Sequence, residues 1–224
     1  MGYADLLRAR FPDLNPVVDD LFLLEAHQIA ELPHRVPADD LGVVLRAHPL
    51  LHRFLVTRCP EAREPFDQML AHQPDVAVDD VAACEQAVVW EVADWIVYQR
   101  APQDYDTHAG VDWTIAAVTQ VTTLTDKVVI DAGAGTGRVA FDAAPMARHV
   151  FAVEPVATLR QFMRDRAARR HVHNLFVLDG FLHAIPLPTS STDVLLTCQA
   201  VGWNLPEEIA EIERVVTPGG VAMH

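Results

Sequence analysis

One segment of the 224-residue sequence reads Val128-Val-Ile-Asp131-Ala-Gly133-Ala-Gly135-Thr-Gly137. Its first three residues are β-branched, which is typical of a short buried strand. The residues that follow Gly137 begin with Arg-Val-Ala-Phe and favour a helix. A strand, a glycine-rich turn and a helix in this order open the doubly wound α/β units that bind ligands beyond the carboxyl ends of their strands.

The rest of the C-terminal half alternates between strand and helix patterns. Further strands are predicted at 149–153, 175–178, 194–198 and 220–223, and helices at 138–147, 156–170 and 206–216. Strands that alternate with helices in this way predict a mostly parallel sheet with helices packed against it.

The spacing of the glycines separates two classes of ligand. A dinucleotide-binding turn has the pattern G-x-G-x-x-G, which would require glycine at position 138, where this chain has arginine. Asp131 lies two residues before the first glycine, where a carboxylate would repel a phosphate and attract an ammonium group. The turn therefore suits a ligand with an ammonium and a carboxylate better than one with a pyrophosphate.

With this motif, residues 105–224 resemble the class I S-adenosylmethionine-dependent methyltransferases, in particular the small-molecule branch with a Rossmann-like domain. The resemblance implies that the glycine turn passes under the methionine part of the cofactor, and that Glu154 accepts both ribose hydroxyls. It also implies that Asp179 binds the adenine amino group. The cofactor-binding residues implied in this way are Asp131, Ala132, Gly133, Gly135, Gly137, Glu154, Pro155, Asp179, Gly180 and Phe181.

Residues near the transferred methyl group are harder to assign, because methyl transfer from a sulfonium needs mainly alignment of the acceptor. Cys198 is predicted to end the fourth strand beside the cofactor, and Tyr105 to close over it. Candidates for a role towards the acceptor are His183, Gln199 and Trp203, each of which also has an ordinary structural explanation. A general base is required only if the acceptor atom starts out protonated.

The N-terminal half, residues 1–104, is predicted to be a small helical domain that caps the pocket and selects the acceptor. Its helices are expected to stop at prolines, Pro33 among them. The longest runs from Val78 to about Arg100 with an apolar stripe at helical spacing. His48 and His52 are one helical turn apart, but no second pair of ligands accompanies them, so no metal site is predicted.

Composition excludes several other functions. The net charge of −14 disfavours nucleic acids and anionic membranes as partners. No apolar run approaches the ~20 residues that span a bilayer. Three scattered cysteines do not form a disulfide framework, so a reducing cytoplasm is the expected location.

The sequence departs from the family at its end, because His224 falls within or just after the fifth strand. In the family the sheet continues beyond this strand, in the order 3-2-1-4-5 for the first five. We therefore expect either a piece of a longer protein or an edge covered by a homodimer. The function expected is methyl transfer from S-adenosylmethionine to O, N or C of a small molecule. The alternatives are a non-catalytic cofactor-binding module and a nicotinamide-dependent oxidoreductase, against which Arg138 argues.

Overall fold

The computed structural model describes residues 2–71, 78–108 and 114–224, with the backbone alone at 78–80. The chain divides into two compact units, residues 1–108 and 109–224. The division falls slightly later than the domain boundary predicted from the sequence, so that Tyr105 belongs to the first unit. None of the helices in the described ranges has the length and hydrophobicity needed to span a bilayer.

The first unit is helical throughout its described residues. Its helices are α1 (Tyr3–Arg10), α2 (Ala26–Arg35), α3 (Ala38–Ala47), α4 (Pro49–Arg58), α5 (Arg63–Ala71), α6 (Val78–Glu91), α7 (Ala93–Arg100) and α8 (Pro102–His108), with 3-10 turns at Val18–Leu23 and Pro60–Ala62. One hydrophobic core joins them, and Leu21, Ile29, Leu45, Leu55 and Phe66 are among its fully buried side chains.

Two of the helix boundaries predicted for this unit are wrong. Pro33 lies inside α2 and does not end it, because helical bonding continues past it: the Val36 amide donates to the Leu32 carbonyl at 3.2 Å. Burial of both of those side chains offsets the single backbone bond that proline cannot make. The long helix expected from Val78 is divided at Val92, whose φ of −118° and ψ of 21° leave the helical region.

The second unit is a five-stranded parallel sheet. Its strands are β1 (Val128–Ala132), β2 (His149–Val153), β3 (Leu175–Leu178), β4 (Thr192–Leu196) and β5 (Val216–Met223), and its helices are α9 (Ile115–Val121), α10 (Arg138–Ala143), α11 (Ala157–Arg169) and α12 (Leu205–Val215). The strands lie in the order β3-β2-β1-β4-β5 and every pair is parallel. The α/β fold and the strand order predicted from the sequence are confirmed.

Hydrophobic residues cover both faces of the sheet, as expected for parallel strands flanked by helices. Val129 and Ile130 of the central strand are fully buried in two different clusters, one on each face. The strand order reverses direction between β1 and β4, and open α/β sheets bind ligands beyond the carboxyl ends of the strands at such a reversal. The loops that follow β1, β2, β3 and β4 therefore form the candidate site.

Candidate functional site

The glycine turn after β1 is hydrogen-bonded to the end of β2. The amides of Gly133 and Ala134 both donate to the carbonyl oxygen of Val153, at 2.9 and 3.1 Å. Gly137 caps α10 in the left-handed conformation with φ 80°. A Cβ at Gly137 would lie 2.8 Å from Met163 Sδ, so the turn also needs glycine there for close packing on α11.

The first glycine of the turn lies against the loop that follows β4. Gly133 has φ 72°, and a Cβ built on it would lie 2.4 Å from the Cβ of Ala200. Non-bonded carbon atoms do not approach so closely, so a side chain at this position would have to displace one of the two loops. The loops after β1 and β4, on either side of the reversal in strand order, thus form one surface.

Glu154, at the end of β2, joins the glycine turn to the start of α11. Its Oε2 accepts the Gly135 amide at 2.8 Å and its Oε1 accepts the Val156 amide at 2.9 Å. The residue is only 5% exposed, and burial raises the pKa of its carboxyl from 4.5 to about 7 although these hydrogen bonds oppose the shift. Each carboxylate oxygen has a second lone pair, so Glu154 can accept further hydrogen bonds from a ligand.

Asp131 is more deeply enclosed than the sequence suggests. The residue is 2% exposed, and its Oδ2 accepts the Ala140 amide of α10 at 2.9 Å. This bond ties the end of β1 to the helix that follows the turn. Direct contact of this carboxylate with a ligand's ammonium group stays a prediction.

The burial of Asp131 predicts a dependence of stability on pH. Desolvation raises the pKa of this carboxyl from 3.8 to about 7. Because the folded chain then binds the proton more tightly than the unfolded chain, the free energy of unfolding falls as pH rises between these two values. We expect Asp131→Asn to make the free energy of unfolding less dependent on pH, by up to about 1.4 kcal/mol per pH unit. Urea unfolding at pH 5 and pH 7 measures this change.

Asp193→Asn is the matched control for that measurement. Asp193 also accepts one strand amide, that of Val128 at 2.8 Å, but it is only partly buried. If Asp131→Asn leaves the pH dependence of unfolding as it is in the unaltered protein, or if both variants change it equally, the effect does not come from Asp131.

Asp179, at the end of β3, is held by an arginine that the sequence analysis did not single out for this role. Its carboxylate is 70% exposed, and its Oδ1 lies 3.0 Å from Nη1 of Arg160. The same guanidinium donates to the backbone carbonyls of Glu154 and Pro155. Arg160 therefore connects the loops after β2 and β3.

Other arginines of α11 also bind backbone carbonyls: Arg164 binds that of Val177 and Arg166 that of Thr136.

The segment after Asp179 turns back on itself. Gly180 packs so tightly that a Cβ there would lie 2.7 Å from Cδ of Pro186. The rings of Phe181 and His183 stack with their centroids 5.2 Å apart. Arg214 of α12 holds the end of the segment by donating to the carbonyls of Ile185 and Leu187.

The remaining predicted residues have different surroundings. Cys198 is a partly buried free thiol just beyond β4, and Gln199 has an exposed side chain and a positive φ of 58°. Trp203 is 64% exposed, whereas Ala132 is fully buried in β1.

Tyr105 packs its ring edge-on against Tyr98 within the helical unit, with 4.6 Å between the ring centroids. Its role at a cofactor stays a prediction.

The histidines considered for metal binding pair with separate acids. His48 Nε2 lies 2.5 Å from Glu85 Oε1, and His52 Nε2 lies 3.0 Å from Asp67 Oδ1. In the described part of the chain, no three or more His, Cys, Asp or Glu side chains are grouped so as to hold a metal ion.

The fold is the one found in class I methyltransferases, as the resemblance in the sequence indicated. Residues 129–220, most of the α/β unit, match the model of a family described as a methyltransferase domain.

Comparison with known proteins gives relatives that are named as methyltransferases. A methyltransferase of Mycobacterium tuberculosis strain H37Rv is 31% identical over 124 residues, which cover 55% of this chain and 46% of the relative. Malonyl-[acyl-carrier protein] O-methyltransferase of Yersinia pestis is 31% identical over 130 residues, which cover 56% of this chain and 47% of the relative. The chain spans about half the length of these curated relatives.

Among solved structures, a SAM-dependent methyltransferase from Aquifex aeolicus is similar to the chain with a TM-score of 0.44 and 18% identity. The match covers 52% of this chain and 68% of that protein.

Proposed function

We propose that the protein binds S-adenosylmethionine in its α/β unit and transfers the methyl group to an oxygen, nitrogen or carbon atom of a small molecule. The carrying observation is the contact between Glu154 and the glycine turn at the carboxyl end of the sheet. Oε2 of Glu154 accepts the Gly135 amide at 2.8 Å, so a carboxylate that can accept from hydroxyl groups lies directly beside the turn. Gly135 has no side chain that would keep a ligand away from it.

The residues present fit S-adenosylmethionine on its three parts. The methionine end would lie on the glycine turn, where a Cβ at Gly133 would clash with Ala200 and change the surface that the ligand meets. The ribose would donate to the spare lone pairs of Glu154. The adenine amino group would donate to Asp179, whose exposed carboxylate is oriented by Arg160.

The cofactor supplies an electrophilic methyl group on a sulfonium that is already a good leaving group. The protein's part is therefore to hold the acceptor in line with that methyl and to exclude water from it. Gln199 and Trp203, in the loop after β4, and His183, after β3, are proposed to act towards the acceptor. Selection of the acceptor by the helical unit is likewise a proposal.

The names of the relatives favour an oxygen atom as the acceptor. Several of them are malonyl-[acyl-carrier protein] O-methyltransferases, which by name methylate oxygen. Because the chain spans only about half of their length, we extend to it no more than the class of atom attacked.

Calorimetric titration of the 224-residue chain with S-adenosylhomocysteine tests this proposal. We expect a dissociation constant in the micromolar range, about −8 kcal/mol of binding free energy. Reduced nicotinamide dinucleotide is the matched control ligand, and we expect it to release no heat. If the folded chain binds the nicotinamide and not S-adenosylhomocysteine, the proposal is wrong and the oxidoreductase alternative replaces it. If S-adenosylhomocysteine does bind, methyl transfer to any acceptor in a labelled-methyl assay separates an enzyme from a non-catalytic binding module.

A further inference from the structure

Glu208 is a buried acid in the first turns of α12 that neither the sequence analysis nor the proposed site includes. Only 1% of the residue is exposed to solvent. The carboxylate accepts three backbone amides: Gly202 at 2.7 Å, Trp203 at 3.1 Å and Asn204 at 3.0 Å. Hydrogen bonds to a charged acceptor are about twice as strong as neutral ones, so three of them restrain a segment firmly.

These amides precede the helix. An ordinary N-terminal cap satisfies the free amides of the first helical turn, which here begins at Leu205. The amides bound by Glu208 belong instead to residues 202–204, that is, to the end of the connection between β4 and α12. The bond from Asn204, the N-cap residue of α12, fixes the start of the helix as in a capping box, and the bonds from Gly202 and Trp203 order the loop before it.

We define the β4–α12 loop as residues 197–204. Its start is held by the sheet, since the Thr197 amide donates to the Met223 carbonyl of β5 at 3.0 Å. Its end is held by Glu208. Between these two anchors, Ala200 lies close to Gly133: a Cβ built on Gly133 would be 2.4 Å from the Cβ of Ala200.

We propose that Glu208 is a positioning residue that holds the β4–α12 loop against the glycine turn and so shapes the methionine end of the cofactor pocket. The inference rests on the proposed function, because it assigns the surface between Gly133 and Ala200 to the methionine part of S-adenosylmethionine. Loss of the carboxylate should free the loop at one end while the ribose and adenine positions, held by Glu154 and Arg160, stay in place.

The test uses Glu208→Gln, which keeps the shape of the side chain but faces at least one of the three amides with an NH₂ group. The matched control is Glu207→Gln, which removes the same charge from the adjacent, exposed position. Each protein is titrated with S-adenosylhomocysteine and with adenosine, which lacks the methionine part. Amide hydrogen exchange of residues 202–204 is measured in parallel without ligand.

For Glu208→Gln we expect about tenfold weaker binding of S-adenosylhomocysteine, unchanged binding of adenosine and faster exchange at residues 202–204. Glu207→Gln should change none of these. Equal weakening of both ligands would show a general structural role and overturn the inference, as would unchanged binding of both. Failure of the unaltered protein to bind S-adenosylhomocysteine would instead overturn the proposed function, while hydrogen exchange still reports whether Glu208 orders the loop.

Ala200→Gly provides a second variant if Glu208→Gln does not fold. It removes the methyl group that contacts Gly133 and leaves the carboxylate in place. The inference expects weaker binding of S-adenosylhomocysteine and unchanged binding of adenosine here too. A variant that binds both ligands like the unaltered protein would contradict it.

Discussion

The Gly133→Ala substitution is expected to abolish measurable binding of S-adenosylhomocysteine, a loss of at least about 100-fold. Two physical effects add at this position. The backbone φ of 72° is unfavourable for any residue with a Cβ, at roughly 1–2 kcal/mol. The new Cβ would also lie 2.4 Å from the Cβ of Ala200, so the turn and the β4–α12 loop must move apart. Calorimetric titration measures the loss, and circular dichroism checks that the variant is folded.

Gly219→Ala separates these two effects. Gly219 has φ 84°, so alanine there meets the same backbone strain, but a Cβ would have no heavy atom within 4 Å. We expect this control to lose about 1 kcal/mol of stability and to bind the ligand normally. Comparable binding losses in the two variants would mean that backbone strain, and not the contact with Ala200, is responsible.

The Glu154→Gln substitution is expected to weaken binding of S-adenosylhomocysteine by about 100-fold. A glutamine oxygen can replace one carboxylate oxygen, but its NH₂ group would face the amide of either Gly135 or Val156 as a second donor. It also offers the ribose hydroxyls fewer acceptor sites. Loss or weakening of the two proposed hydrogen bonds to the ribose hydroxyls, at roughly 1.5 kcal/mol each, accounts for the factor.

Asp142→Asn controls for the loss of a negative charge from the same unit. Asp142 is exposed on α10, and its neutralisation should leave the dissociation constant unchanged. Adenosine provides a second test, because it keeps the ribose and lacks the methionine part. Glu154→Gln should weaken the binding of adenosine as strongly as that of S-adenosylhomocysteine. Normal binding of adenosine by Glu154→Gln would contradict the role of this acid at the ribose.

The helical unit shows where local patterns are insufficient. The apolar stripe through Val88, Val92 and Ile96 correctly predicted a buried helical face. It did not predict the break at Val92, because a break depends on what the neighbouring helices leave room for. Pro33 would break an isolated helix, and it is tolerated in α2 because Leu32 before it and Val36 after the helix are buried in the core.

The α/β unit was predicted more completely, with some shifted boundaries. Helix α10 ends at Ala143, earlier than expected, and β4 covers Thr192–Leu196 where 194–198 was expected. Cys198 consequently lies in the loop beyond the strand. The shift matters for the site, because the chain leaves the sheet just after Thr197 and Ala200 can then lie against Gly133.

Short-range chemistry in the chain was enough to predict the strand, the glycine turn and the acids at strand ends. A parallel sheet with alternating helices follows from a pattern that each segment carries in itself, and parallel strands necessarily bring those acids to one edge. Three contacts could be seen only in the folded chain: Arg160 with Asp179, Ala200 against Gly133, and Glu208 with the amides of residues 202–204. They depend on how loops from different strands approach one another. That approach is set by side-chain packing and by the pairing of buried polar groups, which no spacing in the sequence encodes.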